Sequence, residues 1–63
     1  MQKLKTIIIE NDAKSLSLLL SLISGYCPEL NVVASATNIQ DATKKILNQQ
    51  PDLVFLDMEL DDG

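Results

Sequence analysis

The chain alternates short apolar runs with amphipathic stretches, and the period changes at each boundary. Leu4–Ile9 (LKTIII) is a β-branched run, too short for a helix and suited to a strand buried on both faces. It stops at Glu10-Asn11-Asp12, residues that favour a turn or a helix N-cap. Between Ala13 and Ser24, Leu16, Leu19, Leu20 and Ile23 fall at i, i+3, i+4 and i+7, with Ser15, Ser17, Ser21 and Ser24 on other faces. This spacing predicts an amphipathic helix capped by Asp12 and stopped at Gly25. Leu18 and Leu22 widen its apolar stripe, which predicts a helix laid against a sheet.

Pro28 bars continuation, and Leu30–Ala36 (LNVVASA) fits a second, more polar strand. Thr37-Asn38 offers the next cap, with Asp41 three residues after Asn38 as a short-armed capping box. Ile39, Ala42, Ile46 and Leu47 are the expected buried side of this second helix. Lys44 and Lys45 fall in its later turns, where the macrodipole favours cations. Pro51 ends it. Leu53–Leu56 (LVFL) reads as a third strand, apolar throughout and buried, followed at once by Asp57 and then a loop, Met58–Gly63.

The predicted order is β-α-β-α-β, with helices long enough to serve as crossovers between parallel strands. The more polar second strand fits an edge, and the first strand then takes the middle, giving the order 2-1-3. With right-handed crossovers the two helices go to opposite faces. A topological switch point is created at the carboxyl ends of strands one and three. The fold class is therefore α/β, a doubly wound parallel sheet.

Composition narrows the function. The 63 residues are 46% hydrophobic and 22% charged, a mix that excludes a disordered tail or a low-complexity linker. No apolar run approaches the roughly 18 residues of a membrane span. The single cysteine, Cys27, cannot form an internal disulfide, and without histidine a zinc cluster is not available. These features point to the cytoplasm. The net charge of −4 is the wrong sign for direct binding of nucleic acid. The acids are unevenly spread: Asp52, Asp57, Glu59, Asp61 and Asp62 crowd the last twelve residues without a base among them.

Strand order turns this excess into a candidate site. Glu10, Asn11 and Asp12 follow strand one and Asp57 follows strand three, so neighbouring strands about 4.8 Å apart would bring distant acids to one crevice. Unpaired carboxylates there would repel and raise one another's pKa values, which a divalent cation relieves. An oxygen-only donor set favours Mg²⁺ over zinc or copper. A carboxylate beside Mg²⁺ is also a candidate nucleophile for phosphoryl transfer. Glycine occurs only at positions 25 and 63, so neither GxxxxGK[ST] nor GxGxxG is present and a nucleotide-binding domain is poorly supported.

TIIIEND, the Leu-rich helix and PDLVFLDMELDDG together resemble the first half of a response-regulator receiver domain, the phosphoacceptor module of two-component signalling, over Leu4–Gly63. The resemblance implies a flavodoxin-like fold with only β1-α1-β2-α2-β3 of five strands, so that residues 1–63 form a truncated or partly ordered half domain. It implies Asp57 as phosphoacceptor and Mg²⁺ held by Glu10, Asn11, Asp57 and the backbone carbonyl of Glu59. Asn11 stands where the family usually has a second acid, and Asp61 replaces its loop proline, while Gly63 matches the loop glycine. The implied partner is a sensor histidine kinase, and the role is a signalling switch rather than a metabolic enzyme.

The wording of PDLVFLDMEL also resembles regulators with a LytTR-type DNA-binding output domain. Two alternatives stand beside this reading. LVFLDME is similar to the nucleophile motif of haloacid-dehalogenase-like phosphohydrolases, although that motif normally ends the first strand of its domain. The other is a degenerate receiver used only for protein–protein contact. Three parallel strands leave the far edge of strand three open, which leads to the expectation that a longer chain, or a homodimer formed by swapping or strand pairing, completes the sheet.

Overall fold

The computed structural model describes residues 3–57 of the chain. Its elements are β1 (Leu4–Ile9), α1 (Ala13–Tyr26), β2 (Leu30–Ala36), α2 (Ile39–Gln49) and β3 (Leu53–Leu56). The strands form a parallel sheet in the order β2-β1-β3. This is the α/β architecture expected, consistent with part of a flavodoxin-like fold. β1 is central because LKTIII is apolar on both faces: Thr6, Ile7 and Ile8 are fully buried and Ile9 nearly so. The buried hydroxyl of Thr6 donates to the Leu4 carbonyl at 3.0 Å, so burial leaves it satisfied.

Alternation along the strands divides the core into two layers. Ile7 and Ile9 pack with Ala36 and Ala42, flanked by Val33, Ala34 and Ile46, beneath α2. Val32 and Leu30 instead line a hollow with Leu20 and Ile23 of α1, so the helices cover opposite faces. Register slips by one between Thr6 and Ile7: Thr6 pairs with Val32 but Ile7 pairs with Ala34. Val33 is thus an extra residue, and this bulge lets both Val33 and Ala34 reach the α2 layer.

Both predicted caps form. The Asp12 carboxylate accepts from the Ser15 N–H at 3.0 Å, and the Asn38 side chain accepts from the Asp41 N–H at 2.8 Å. Several details differ from the sequence reading. α1 runs through Gly25 to Tyr26, and Gly25 has no positive φ, so it does not stop the helix. Leu18 and Leu22 are exposed and point away from the sheet, as do Leu47 and, to a lesser degree, Ile39 on α2. Narrow three-stranded support covers a narrower stripe of each helix than the apolar residues span. Of the two residues that end α1 and follow it, Tyr26 is 80% exposed and Cys27 half-buried. β3 alternates between half-buried and exposed, with Leu56 55% exposed, because it lies at an edge among the described residues.

The last turn of α2 contains no base. Its carbonyl end is met from β1, where the Lys5 ammonium donates to the Gln49 carbonyl at 2.7 Å. Lys45 turns toward the sheet, donating to the Ser35 carbonyl at 2.5 Å and pairing with Asp41 at 3.0 Å.

Candidate functional site

The site is built by ladder hydrogen bonds that outlast the strands by one residue. The Glu10 N–H donates to the Ala36 carbonyl at 2.9 Å, and the Asp57 N–H donates to the Ile9 carbonyl at 3.0 Å. Both backbones are thereby held at the carboxyl end of the sheet, at the switch point where helices leave for opposite faces. Neighbouring strands are so close that the two side chains share one crevice. Each residue is half-buried. Beneath them is a shallow cavity of about 130 Å³, walled by Ile8, Leu19, Phe55 and Leu56.

The carboxyls interact directly. The Asp12 N–H donates to Glu10 Oε1 at 3.1 Å, which by itself would lower the Glu10 pKa. Loss of solvent, a hydrogen bond with the Asp57 side chain, and the charges of Asp57 and Asp12 act the other way and together prevail. Glu10 is consequently held above its ordinary value. Asp12 faces a different task. Its Oδ2 accepts from both the hydroxyl of Ser15 at 2.7 Å and the Ser15 N–H, and these bonds hold it below the usual carboxylate range.

Of the residues marked by the sequence, Glu10 and Asp57 are brought together, and Asn11 lies exposed in the bend between Glu10 and Asp12. Asp12 is the helix cap, as its position suggested. The Glu59 carbonyl, along with Asp61, Asp62 and Gly63, lies outside the described residues. Asp52, counted with the C-terminal acids, belongs elsewhere: its carboxylate accepts from the Lys5 N–H at 2.8 Å, at the opposite end of the sheet. The apolar walls Leu19 and Phe55 were legible only as core. Their part in the crevice was available from parity, since Phe55 pairs with Ile8 and Leu19 follows the sheet-facing stripe.

Among the described residues no group of three or more His, Cys, Asp or Glu converges to hold an ion. The side chains at hand are two carboxylates and a nearby amide. A larger hollow of about 350 Å³ lies at the other end of the sheet, between Lys3, Leu20, Cys27 and Leu30, and has no acid in its lining. Chemistry rather than size marks the carboxyl-end crevice as the candidate site. An acid pair that shares a hydrogen bond can bind a proton, bind a cation, or present one oxygen as a nucleophile.

Comparison with known proteins finds two relatives. Over 60 residues the chain is 32% identical to the protein-glutamate methylesterase/protein-glutamine glutaminase 3 of Geobacter sulfurreducens, a match covering 95% of the chain and 16% of that protein. Over 62 residues it is 39% identical to the sensory transduction protein LytR of Staphylococcus haemolyticus, covering 94% of the chain and 23% of that protein. The chain thus spans less than a quarter of the length of either relative. No family model matches, and no solved structure matches. The two similarities support a receiver-like domain. No helix among the described residues is long and apolar enough to cross a membrane.

Proposed function

We propose that the chain is a phosphoacceptor, the first half of the receiver domain of a two-component response regulator. The observation that carries this is the junction of Asp57 with Glu10 at the switch point of a 2-1-3 parallel sheet. A carboxylate oxygen of Asp57 attacks the phosphorus of a phosphohistidine on a sensor histidine kinase. The P–N bond breaks, its electron pair returns to the imidazole, and an acyl phosphate forms on Asp57. Slow attack by water returns the carboxylate and inorganic phosphate. The chain is then a cytoplasmic signalling switch and not a metabolic enzyme.

Mg²⁺ fits the donor set, because it accepts one or two carboxylates and keeps waters and phosphate oxygens for its remaining positions. The residues that would hold it are Glu10, Asp57, the Asn11 amide oxygen and the Glu59 carbonyl. Bound there, it would offset the negative charge of the phosphoryl group against that of the acid pair. Glu10 would help hold the cation and, through its hydrogen bond with Asp57, keeps the acceptor within the crevice. Asn11, a neutral amide, would contribute an oxygen without a charge and so hold the cation less tightly than an acid. The similarity to a sensory transduction protein supports the signalling role, and an output domain, including one that binds DNA, belongs to the same proposal.

The haloacid-dehalogenase-like alternative loses support from topology, since LVFL forms the third strand among the described residues, after two β-α units, rather than the first. Amide NMR of the chain titrated with MgCl₂ tests the proposal. Shifts centred on Glu10 and Asp57, lost in Asp57→Asn, are expected. An unchanged spectrum at tens of millimolar Mg²⁺ would leave only the degenerate, contact-only receiver.

A further inference from the structure

Among the described residues β2 and β3 are the two edges of the sheet, and the chain leaves it from β3 at Asp57. In the flavodoxin-like order of doubly wound sheets, 2-1-3-4-5, later strands add beyond the third and the second stays an edge. The outer side of β2 is therefore the edge that the remainder of such a domain does not cover. It is also well suited to unwanted pairing. The seven residues LNVVASA carry no charge and no proline, and two adjacent valines favour the extended backbone. The Ala36 carbonyl turns inward, where it accepts from the Glu10 N–H at 2.9 Å. Successive residues of a strand direct their backbone groups to opposite edges, so the carbonyl and N–H of Ser35 turn outward. A further strand would pair on these groups.

Lys45 occupies that position. Its ammonium donates to the Ser35 carbonyl at 2.5 Å and is anchored at 3.0 Å by Asp41, one turn earlier on α2. The two side chains are 39% and 41% exposed, and ion pairs so open to water stabilise little. Water satisfies an outward carbonyl nearly as well, whereas ordering a lysine onto it costs rotamer entropy. Stability therefore gives little reason for the arrangement, but its geometric effect is direct. Reaching over from α2, Lys45 lays a charge across the edge, two residues beyond the bulge at Val33.

We infer that the Asp41–Lys45 clamp is an edge guard, which keeps the β2 strand of a second copy from pairing with β2 of this chain. The second copy's β2 is the strand that fits, because neither partner would bring a charge to face a like charge. Self-pairing of β3, flanked by Asp52 and Asp57, would crowd acids together. The inference rests on sheet order and on the Lys45 contact, and it is independent of any chemistry at Asp57.

The test follows hydrogen exchange of the Ser35 amide in the Met1–Gly63 chain by NMR, beside sedimentation equilibrium, from about 50 μM to 1 mM. Lys45→Met removes the guard, Lys45→Arg keeps it, and Lys44→Met deletes the same charge from the exposed side of α2. In Lys45→Met the Ser35 amide is expected to exchange at least about threefold more slowly at the upper concentration, as the mass rises toward that of a dimer. In the wild type, Lys45→Arg and Lys44→Met its rate is expected to be independent of concentration. Asp41→Ala frees the ammonium while leaving the backbone bond to Asn38 in place, and is expected to open the edge partway. It decides the matter if circular dichroism finds Lys45→Met unfolded. A folded Lys45→Met, or in its stead Asp41→Ala, whose Ser35 amide is unprotected at every concentration would overturn the inference. So would protection that appears equally in Lys44→Met or in the wild type.

Discussion

The backbone N–H of Asp57 donates to the carbonyl of Ile9 at 3.0 Å, and this one bond ties the end of the third strand to the end of the first across forty-eight residues of sequence. Because Glu10 follows Ile9 directly, the same bond fixes the separation of the two acids that define the crevice. The pairing of the two acids is thus a consequence of sheet register.

The acid pair gives stability a pH dependence of known sign. Glu10 holds its proton more tightly in the folded chain than in the unfolded one, so in the presence of a chelator stability falls as pH rises from the ordinary Glu value through the folded value. Asp12 acts in the opposite sense. Its contribution is complete above its ordinary value and is lost as pH falls through its lowered folded value. Urea melts across the acid range should show both limbs. Glu10→Gln should flatten the upper limb alone. Millimolar Mg²⁺ should restore stability above that limb in the wild type and much less in Glu10→Gln.

At the α2 N-terminus, the Asn38 side chain accepts the Asp41 N–H at 2.8 Å. Asn38→Ala removes this acceptor and should cost about 1 kcal/mol, read as a lower urea midpoint with an unchanged slope. Asn38→Asp should retain most of the stability.

The other end of α2 stores strain. Gln50 sits at φ 48°, ψ 63°, a left-handed conformation that glycine adopts without a Cβ penalty. Gln50→Gly should stabilise the chain by about 0.5–1 kcal/mol after the entropy of glycine is allowed for, and Gln50→Val should destabilise it. Thermal melts of the two variants distinguish these signs.

The two faces of the sheet depend on one strand. Ile8→Ala, at a fully buried position, should cost about 2–5 kcal/mol, enough to unfold a domain with so few strands. Leu47→Ala, at a 73% exposed position, should change stability by less than about 0.5 kcal/mol. Far-UV circular dichroism at room temperature separates the two outcomes without a full melt.

Much of the architecture was legible because the local signals agree with the global fold. LKTIII can only be a doubly covered strand, Asp12 and Asn38 are strong caps, and a polar LNVVASA beside two apolar strands assigns the edge. Those three readings imply the 2-1-3 order, and the order places Glu10 near Asp57. Periodicity was a poorer guide to which side of a helix is covered. Leu18, Leu22 and Leu47 are apolar but exposed, because hydrophobicity records what a residue can bury and says nothing of whether a neighbour is present. Gly25 misled for a related reason: glycine often ends a helix, yet here it continues one.

Contacts between distant side chains and backbone were beyond the pattern altogether. The Lys5 ammonium on the Gln49 carbonyl depends on the register of β1 against β3, and the bulge at Val33 has no turn residue to mark it. Asp52 looked like one of a cluster of site acids because it is close to Asp57 in sequence. A four-residue strand separates them by its full length, and Asp52 serves the Lys5 N–H instead.

The central claim is that Asp57 accepts a phosphoryl group. Incubation of the chain with a small acyl-phosphate donor and Mg²⁺, followed by intact-mass measurement, tests it most directly. The account predicts a mass gain of one phosphoryl group that is removed by hydroxylamine, reduced by chelation of the metal and absent from Asp57→Asn. Equal labelling of the wild type and Asp57→Asn, or no labelling of a folded wild type that binds Mg²⁺, would contradict it.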